Sequence, residues 1–174
     1  MRAKGALTLH DHAPQPDGED HQESAGDDAS QASIYVCFEP DQSICAERID
    51  GWHRTNDDLA EYSARLETPI DAPEAAAIKA RLSRQIRGAD VLICVIGPTT
   101  WLNEWVAWEL ETAKADTDRK GLVAIMLHHQ DLPPRQLQDA GTVFIRFRRE
   151  QLEGAIVFAR QVPNHEEDFM FLDE

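Results

Sequence analysis

The chain has 174 residues, enough for one ordinary domain with a hydrophobic core and too few for two large ones. Its 32 acidic and 17 basic residues leave a formal net charge of −15, and no basic block interrupts the excess. The chain therefore lacks the charged surface with which nucleic-acid-binding proteins neutralise phosphates. No apolar run approaches the roughly 20 residues of a membrane span, and no signal segment opens the chain. These features exclude nucleic acid and membrane as first partners and predict a cytoplasmic protein.

The acidic excess is concentrated at the two ends. Residues 1–32 hold 7 acidic and 2 basic residues, and residues 162–174 hold 5 acidic residues and no basic one. Acidic segments with few branched apolar side chains are typically solvated. We therefore predict an acidic N-terminal tail over 1–32, one domain over 33–161 and an acidic C-terminal tail over 162–174. The three cysteines, an odd number without CxxC spacing, indicate reduced thiols.

Four short apolar runs predict β-strands at 34–38, 91–96, 122–127 and 143–147. The second and third runs are nearly unbroken, as is typical of strands buried on both faces of a parallel sheet.

Helical periodicity separates these runs. It predicts helices from Pro73 to Gly88, at 101–115 and at 150–161. Residues 44–69 suggest one or two helical pieces and contain no convincing strand. Strands alternating with helices predict an α/β fold, an open and mostly parallel sheet with helices on both faces.

Open α/β sheets bind ligands beyond the carboxyl ends of their strands. The segments that follow the first three runs are therefore the first places to look for a site. His128 and His129 lie at a strand end, where neighbours point to opposite faces, so they do not suit a shared metal. We expect no metal site.

The helix predicted at 101–115 carries an acidic residue on its apolar side. At about 100° per residue, Leu102, Val106 and Leu110 form one stripe, and Glu109 lies beside Leu102 on the side facing the sheet. Trp105 lies one turn away on the same flank. A buried carboxylate needs either a partner, such as an arginine or backbone N–H groups, or a function.

The motif Trp105-x-x-x-Glu109, which follows an apolar strand and a Gly-Pro-Thr-Thr turn, resembles the WxxxE signature of bacterial TIR domains. The run VLICVIGPTTWLNEWVAWELETAK…GLVAIML is similar to TIR-like proteins of Thoeris anti-phage defence systems. The resemblance covers residues 33–134, and the chain differs from the family's first loop by carrying Cys37 and Glu39.

The resemblance implies a flavodoxin-like TIR fold that hydrolyses or cyclises NAD, with Glu109 as the catalytic residue. It also implies a cyclic ADP-ribose product that activates a separate effector protein, and self-association that can complete the site. The residue types fit this chemistry, because a glutamate below the ribose can stabilise the oxocarbenium-like charge that develops as nicotinamide leaves.

Six further residues are candidates for binding NAD. Trp105 or Phe38 could stack on a ring of the substrate, and the backbone N–H groups near Thr99 and Thr100, at a predicted helix N-terminus, could hold the pyrophosphate. Two more candidates, Asp41 and Gln42, lie at the end of the first strand. Four of them have a structural alternative: Trp105 as a core residue, Thr100 as an N-cap, and Asp41 and Gln42 as residues that close a turn.

We predict a TIR-like enzyme that cleaves the nicotinamide–ribose bond and makes a nucleotide signal in anti-phage immunity. Two other functions are compatible with the sequence. One is a nucleoside or nucleotide N-ribosyl hydrolase or transferase of similar architecture, such as a deoxyribosyltransferase. The other is a non-catalytic TIR-like module that binds a ligand or assembles with partners.

Overall fold

The computed structural model describes residues 32–53, 67–116, 120–161 and 167–171. These residues form five strands: β1 (Ile34–Cys37), β2 (Val91–Ile96), β3 (Gly121–Met126), β4 (Val143–Arg146) and β5 (Phe169–Phe171). Within the described ranges four α-helices connect the strands: α1 (Ser43–Trp52), α2 (Ala75–Gly88), α3 (Glu104–Lys114) and α4 (Arg149–Gln161). Short 3-10 helices lie at Pro40–Gln42, Thr100–Leu102 and Arg135–Leu137.

The five strands form one parallel sheet in the order β1-β2-β3-β4-β5. Cys37 of β1 is paired with Cys94 of β2, and Ile96 at the end of β2 is paired with Met126 at the end of β3. The carboxyl ends of these strands therefore meet at one edge of the sheet, which we call the carboxyl edge. The three cysteines are free thiols, as predicted.

Hydrophobic side chains on alternate strand positions fill two core layers. One layer packs the sheet against α2 and α3 and includes Tyr35, Leu92 and Phe144. The other packs the sheet against α1 and α4 and includes Ile34, Ile93 and Ile145. The predicted α/β architecture, with helices on both faces of a parallel sheet, is confirmed.

Gly121 at the start of β3 allows α4 to lie directly on the sheet. A Cβ atom at this position would come within 2.7 Å of the backbone oxygen of Ala159. Because a backbone atom cannot rotate away as a side chain can, any larger residue here would push α4 off the sheet.

The predicted strands and the helices at 73–88 and 150–161 agree with the structure to within a few residues. The helix predicted from residue 101 instead begins at Glu104, because Asn103 has extended backbone angles and its side chain accepts a hydrogen bond from Val106 N. Leu102 consequently lies in the 3-10 turn before the helix and is 60% exposed rather than part of the buried stripe. None of the described helices is long and apolar enough to cross a membrane.

The predicted C-terminal tail is wrong for its central part. Phe169–Phe171 pairs with β4, and the ring of Phe169 packs edge-on against Phe158 with centroids 4.8 Å apart. The carboxylate of Asp168 accepts three backbone hydrogen bonds, from Asp139, Ala140 and Thr142. This acidic residue thus holds the loop before β4 in place. The three-residue strand was too short to show as a periodic pattern.

The predicted N-terminal tail, 1–32, lies outside the described residues except at its last position. Ala32 is buried and packs in the layer of α1 and α4. The domain therefore includes Ala32, one residue before the predicted boundary. Residues 54–66, part of the ambiguous segment at 44–69, also lie outside the described residues, and α1 is the helical piece that the structure describes there.

His53 at the end of α1 should make the stability of the fold sensitive to acid. The imidazole is buried and neither ring nitrogen has a hydrogen-bond partner among the described residues. Burial lowers the pKa of His53, Glu153 opposes this effect, and Arg149 adds to it. Since unfolded histidine titrates near pH ~6.5, the unfolded chain takes up this proton first as pH falls. The free energy of unfolding should therefore decrease below about pH 6.5.

The measurement is chemical denaturation between pH 5 and pH 7 of the native chain and of His53→Phe, which keeps a ring of similar size but does not titrate. The slope caused by one proton is at most about 1.4 kcal/mol per pH unit, and we expect it to shrink in the variant. Equal slopes in His53→Phe and the native chain would contradict the assignment.

Candidate functional site at the carboxyl ends of β1 and β2

A buried carboxylate lies at the carboxyl edge, directly after β1. Glu39 is only 7% exposed. Its oxygens accept hydrogen bonds from four side chains: Thr100 Oγ1 at 2.7 Å, Thr99 Oγ1 at 3.2 Å, Asn103 Nδ2 at 3.2 Å and Gln42 Nε2 at 3.3 Å. All four donors are neutral, so these four contacts are hydrogen bonds rather than ion pairs. Glu39 thereby joins the loop after β1 to the loop after β2.

Thr100 is the centre of this hydrogen-bond network. Its fully buried hydroxyl donates to Glu39 and accepts from Gln42 Nε2 at 2.8 Å and from the backbone N–H of Gly97 at 2.9 Å. The backbone N–H of Glu39 in turn donates to Gln42 Oε1 at 3.0 Å. One donor and two acceptor positions exhaust the capacity of a hydroxyl group, so Thr100 has no further hydrogen bond to offer a ligand.

Gly97 allows this close approach of the two loops. A Cβ atom on Gly97 would lie 2.6 Å from Gln42 Nε2. Any side chain at this position would therefore displace the amide of Gln42 and open the network around Glu39.

The network also fixes the start of α3. Asn103 donates to Glu39 through Nδ2 while its Oδ1 caps the helix by accepting from Val106 N at 3.0 Å. Glu109 follows six residues after the cap, about 9 Å further along the helix axis. The position of Glu109 is thus coupled through α3 to the buried carboxylate at the end of β1.

Glu109 lies on α3 and is fully buried. The prediction that this charged side chain lies on the buried side of α3 is confirmed. It is not isolated in this position, since it takes part in a contact within the protein.

Trp105, one turn before Glu109, is 9% exposed and has contacts on several sides. Its indole N–H donates to the backbone oxygen of Thr68 at 2.9 Å, and its ring meets Trp108 edge-on with centroids 5.9 Å apart. The ammonium group of Lys79 lies 5.9 Å from the centre of the Trp105 ring. In this conformation Trp105 is therefore a packing residue that joins α3 to α2 and to the segment before it.

Comparison with known families assigns this architecture. The family model described as "Thoeris protein ThsB, TIR-like domain" matches residues 35–131, more than half of the chain. The chain belongs to the Thoeris ThsB TIR-like family. No curated protein and no solved structure matches it significantly. The match covers β1 to β3, the network around Glu39 and the whole of α3, so these features belong to the TIR-like domain.

Membership of this family supports a TIR-type role in anti-phage defence. The sheet of the TIR-like domain agrees with the predicted flavodoxin-like TIR fold. Among the described residues no strand lies between β1 and β2.

The TIR-like domain brings together three of the six predicted ligand-binding residues: Gln42, Thr99 and Thr100. Asp41 lies beside them and is exposed in the 3-10 turn. Phe38 does not join them. It is buried in the layer of α1 and α4, on the opposite face of the sheet from α3. Strand alternation explains this correction, because Phe38 shares its face with Ile34 and Val36.

The suggested pyrophosphate position near Thr99 and Thr100 also needs correction. It depends on a helix N-terminus at these residues, but α3 begins at Glu104 and its cap is Asn103 rather than Thr100. The carboxylate of Glu39 lies within hydrogen-bond distance of both threonines. An anion would be repelled there, so the two threonines organise the loop.

Sequence reasoning treated Glu39 only as a departure from the family pattern and missed its central place in the network. One signal was available, since Glu39 is an acidic residue directly after a buried strand. Strand alternation also places it on the side of Tyr35 and Cys37, which face α3.

Trp105 offers a direct test of packing against function. Trp105→Phe loses the hydrogen bond to Thr68, worth about 1 kcal/mol, and keeps most of the packing. Trp105→Ala should lower the free energy of unfolding by about 3–5 kcal/mol. Both values can be measured by denaturant unfolding. Under the activity that the sequence predicts, NAD cleavage per folded molecule at low temperature separates the two roles. A loss beyond the loss of folded protein indicates that Trp105 also forms a wall of the site.

Proposed function

We propose that this TIR-like domain is an NAD-consuming enzyme that cleaves the bond between nicotinamide and ribose. The observation that carries the proposal is Glu109, a fully buried carboxylate placed one turn after Trp105 on the helix that leaves the carboxyl end of β2. This helix lies inside the segment matched by the family model. A carboxylate kept away from water there is suited to stabilising positive charge.

In the proposed reaction Glu109 stabilises the oxocarbenium-like ribose that forms as nicotinamide departs with the electron pair of the broken bond. Nicotinamide is neutral once released, so no strong general acid is required. Addition of water to the ribose carbon, with loss of a proton, gives ADP-ribose. Attack by a group of the same molecule, with loss of a proton, gives a cyclic isomer, the product that would carry a signal to a separate effector protein.

The hydrogen-bond network around Glu39 has a positioning role in this proposal. It holds Asn103, the cap of α3, against the end of β1, and so sets where Glu109 lies relative to the carboxyl edge. Preorganised electrostatic groups act well only when they are held within about 0.5 Å of the productive geometry. The rigid connection between the two loops supplies that constraint.

The complete burial of Glu109 also sets a requirement. NAD can contact the carboxylate only in a conformation in which the side chains that cover Glu109 have moved. The same observation favours one alternative function, a non-catalytic TIR-like module in which Glu109 serves the core and the carboxyl edge binds a ligand or a partner.

The deciding experiment is to incubate the full chain with NAD and to separate the products by chromatography over a range of protein concentrations. Release of nicotinamide with ADP-ribose or a cyclic isomer supports the enzyme. Specific activity that rises with protein concentration supports a site completed by self-association. Parallel reactions with deoxynucleosides test for an N-ribosyl transferase. Ligand binding without any turnover would instead identify the non-catalytic module.

A further inference from the structure

One tryptophan of the domain differs from the others in its surroundings. Trp52, Trp105 and Trp108 each pack against another aromatic ring. Trp101 makes no such ring contact with any described residue and is 48% exposed. A ring of this size is usually buried to a greater extent, so an open indole calls for an explanation.

The backbone at Trp101 is held firmly in place. It occupies the centre of the 3-10 helix Thr100–Leu102, between Thr100, the centre of the buried network, and Asn103, the cap of α3. The backbone N–H groups of Leu102 and Asn103 close the turn with hydrogen bonds of 2.9 and 3.1 Å. Because this backbone is already ordered, stacking of another ring on Trp101 costs little backbone entropy.

The position of the turn points to a ligand. Four large apolar side chains that the structure leaves exposed lie in the segments that leave β1, β2 and β3 at the carboxyl edge: Ile44, Trp101, Leu102 and Leu132. Because open α/β sheets bind ligands at this edge, an exposed aromatic ring here suits a flat ring of the substrate.

The charges around the turn indicate which part of a dinucleotide binds there. The two loops at 38–44 and 97–105 contain Glu39, Asp41 and Glu104 and no basic residue. This acidic setting repels phosphate but accepts hydrogen bonds from an amino group such as that of adenine. A base, rather than the pyrophosphate, therefore fits the turn.

The distance from Glu109 decides between the two bases of NAD. Glu109 lies about 9 Å along the helix axis from Asn103, and Trp101 precedes that cap by two residues, in the 3-10 turn. The nicotinamide must be next to Glu109, because its bond to ribose is the one that breaks. A ring on Trp101 is then the base at the other end of the dinucleotide.

We propose that Trp101 is the platform on which the adenine ring of NAD stacks. This inference rests on the proposed function for the identity of the dinucleotide, but it concerns binding alone. It assigns to an exposed residue the stacking role that sequence reasoning gave to Phe38 or Trp105.

The test is calorimetric titration of the full chain with adenosine, a probe that cannot be cleaved at a nicotinamide–ribose bond. We expect Trp101→Ala to weaken adenosine binding about tenfold, as stacking on an aromatic ring is worth about that much. Trp101→Phe should stay within about threefold of the native chain. Phe171 provides a matched control, since it is 45% exposed at the end of β5, and Phe171→Ala should leave the affinity unchanged.

Kinetics gives a second readout if NAD is cleaved. Stacking of the remote base contributes equally to substrate and transition state, so Trp101→Ala should raise KM about tenfold and change kcat little. Melting curves should show that the variant remains folded, because Trp101 contributes little to the core.

Several results would overturn the inference. Equal adenosine affinity in Trp101→Ala and the native chain would do so, as would adenosine monophosphate that binds more than about tenfold tighter than adenosine. Sedimentation showing that Trp101→Ala breaks an oligomer without changing adenosine affinity would make the exposed ring a self-association contact.

Adenosine binding that depends on Trp101 without NAD cleavage would leave the inference standing and remove the proposed reaction. NAD cleavage with a KM that Trp101→Ala does not change would overturn the inference and leave the proposed reaction standing.

Discussion

Glu109→Gln is expected to reduce NAD cleavage by at least a hundredfold while the protein remains folded. The amide keeps the shape of the buried side chain but removes the negative charge that opposes the developing charge on ribose. The measurement is nicotinamide release by purified native and variant protein at equal concentration. Thermal melting of both proteins, recorded in the same buffer, establishes that the loss is not caused by unfolding.

The control for this variant is Glu111→Gln, two residues along the same helix, where the carboxylate is exposed and accepts a hydrogen bond from Gln136 Nε2 at 3.0 Å. It should keep full activity. If Glu109→Gln cleaves NAD at nearly the native rate, Glu109 is not the catalytic group. If its melting temperature changes and its activity does not, Glu109 serves the core alone.

Glu39→Ala is expected to destabilise the domain by about 2–4 kcal/mol, because it removes the acceptor of four side chains and leaves buried donors unsatisfied. For a domain of this size the change corresponds to a fall in melting temperature of roughly 5–15 °C. Glu39→Gln keeps one acceptor oxygen and should lose less. Calorimetric or denaturant unfolding of the three proteins measures the difference.

Glu104→Ala is the matched control, since Glu104 is an exposed acidic residue in the first turn of α3. Its removal should cost no more than the few tenths of a kcal/mol typical of surface substitutions. A similar small effect of Glu39→Ala would mean that the network around Thr100 does not depend on its carboxylate. Under the proposed function, Glu39→Gln protein that is fully folded at low temperature should also cleave NAD more slowly, because the cap of α3 shifts.

The fold could be predicted from the sequence because its signals are local. The unbroken apolar runs at β2 and β3 identify strands buried on both faces, and the spacing of Ile78, Leu82 and Ile86 identifies the buried face of α2. The burial of Glu109 could also be predicted from residue spacing, since the helical period alone decides which side of α3 a residue occupies.

Other features depend on contacts between residues far apart in the chain. β5 consists of only three residues. It is stabilised by packing of the Phe169 ring against Phe158 and by the hydrogen bonds that the carboxylate of Asp168 accepts from the loop before β4. α3 begins at Glu104 and not at the predicted residue 101. Asn103, the cap of α3, donates a hydrogen bond to Glu39, which lies 64 residues earlier in the chain.

The composition of the candidate site was decided in the same way. Sequence alone established the strands, the helices and the motif glutamate, because hydrophobic periodicity acts within a few residues of each position. The tertiary structure alone joined Glu39 to Thr99 and Thr100 and left the ring of Trp101 exposed. Those outcomes depend on how the loops after β1 and β2 meet at the carboxyl edge. A buried carboxylate there is stable only when hydrogen-bond donors from both loops surround it.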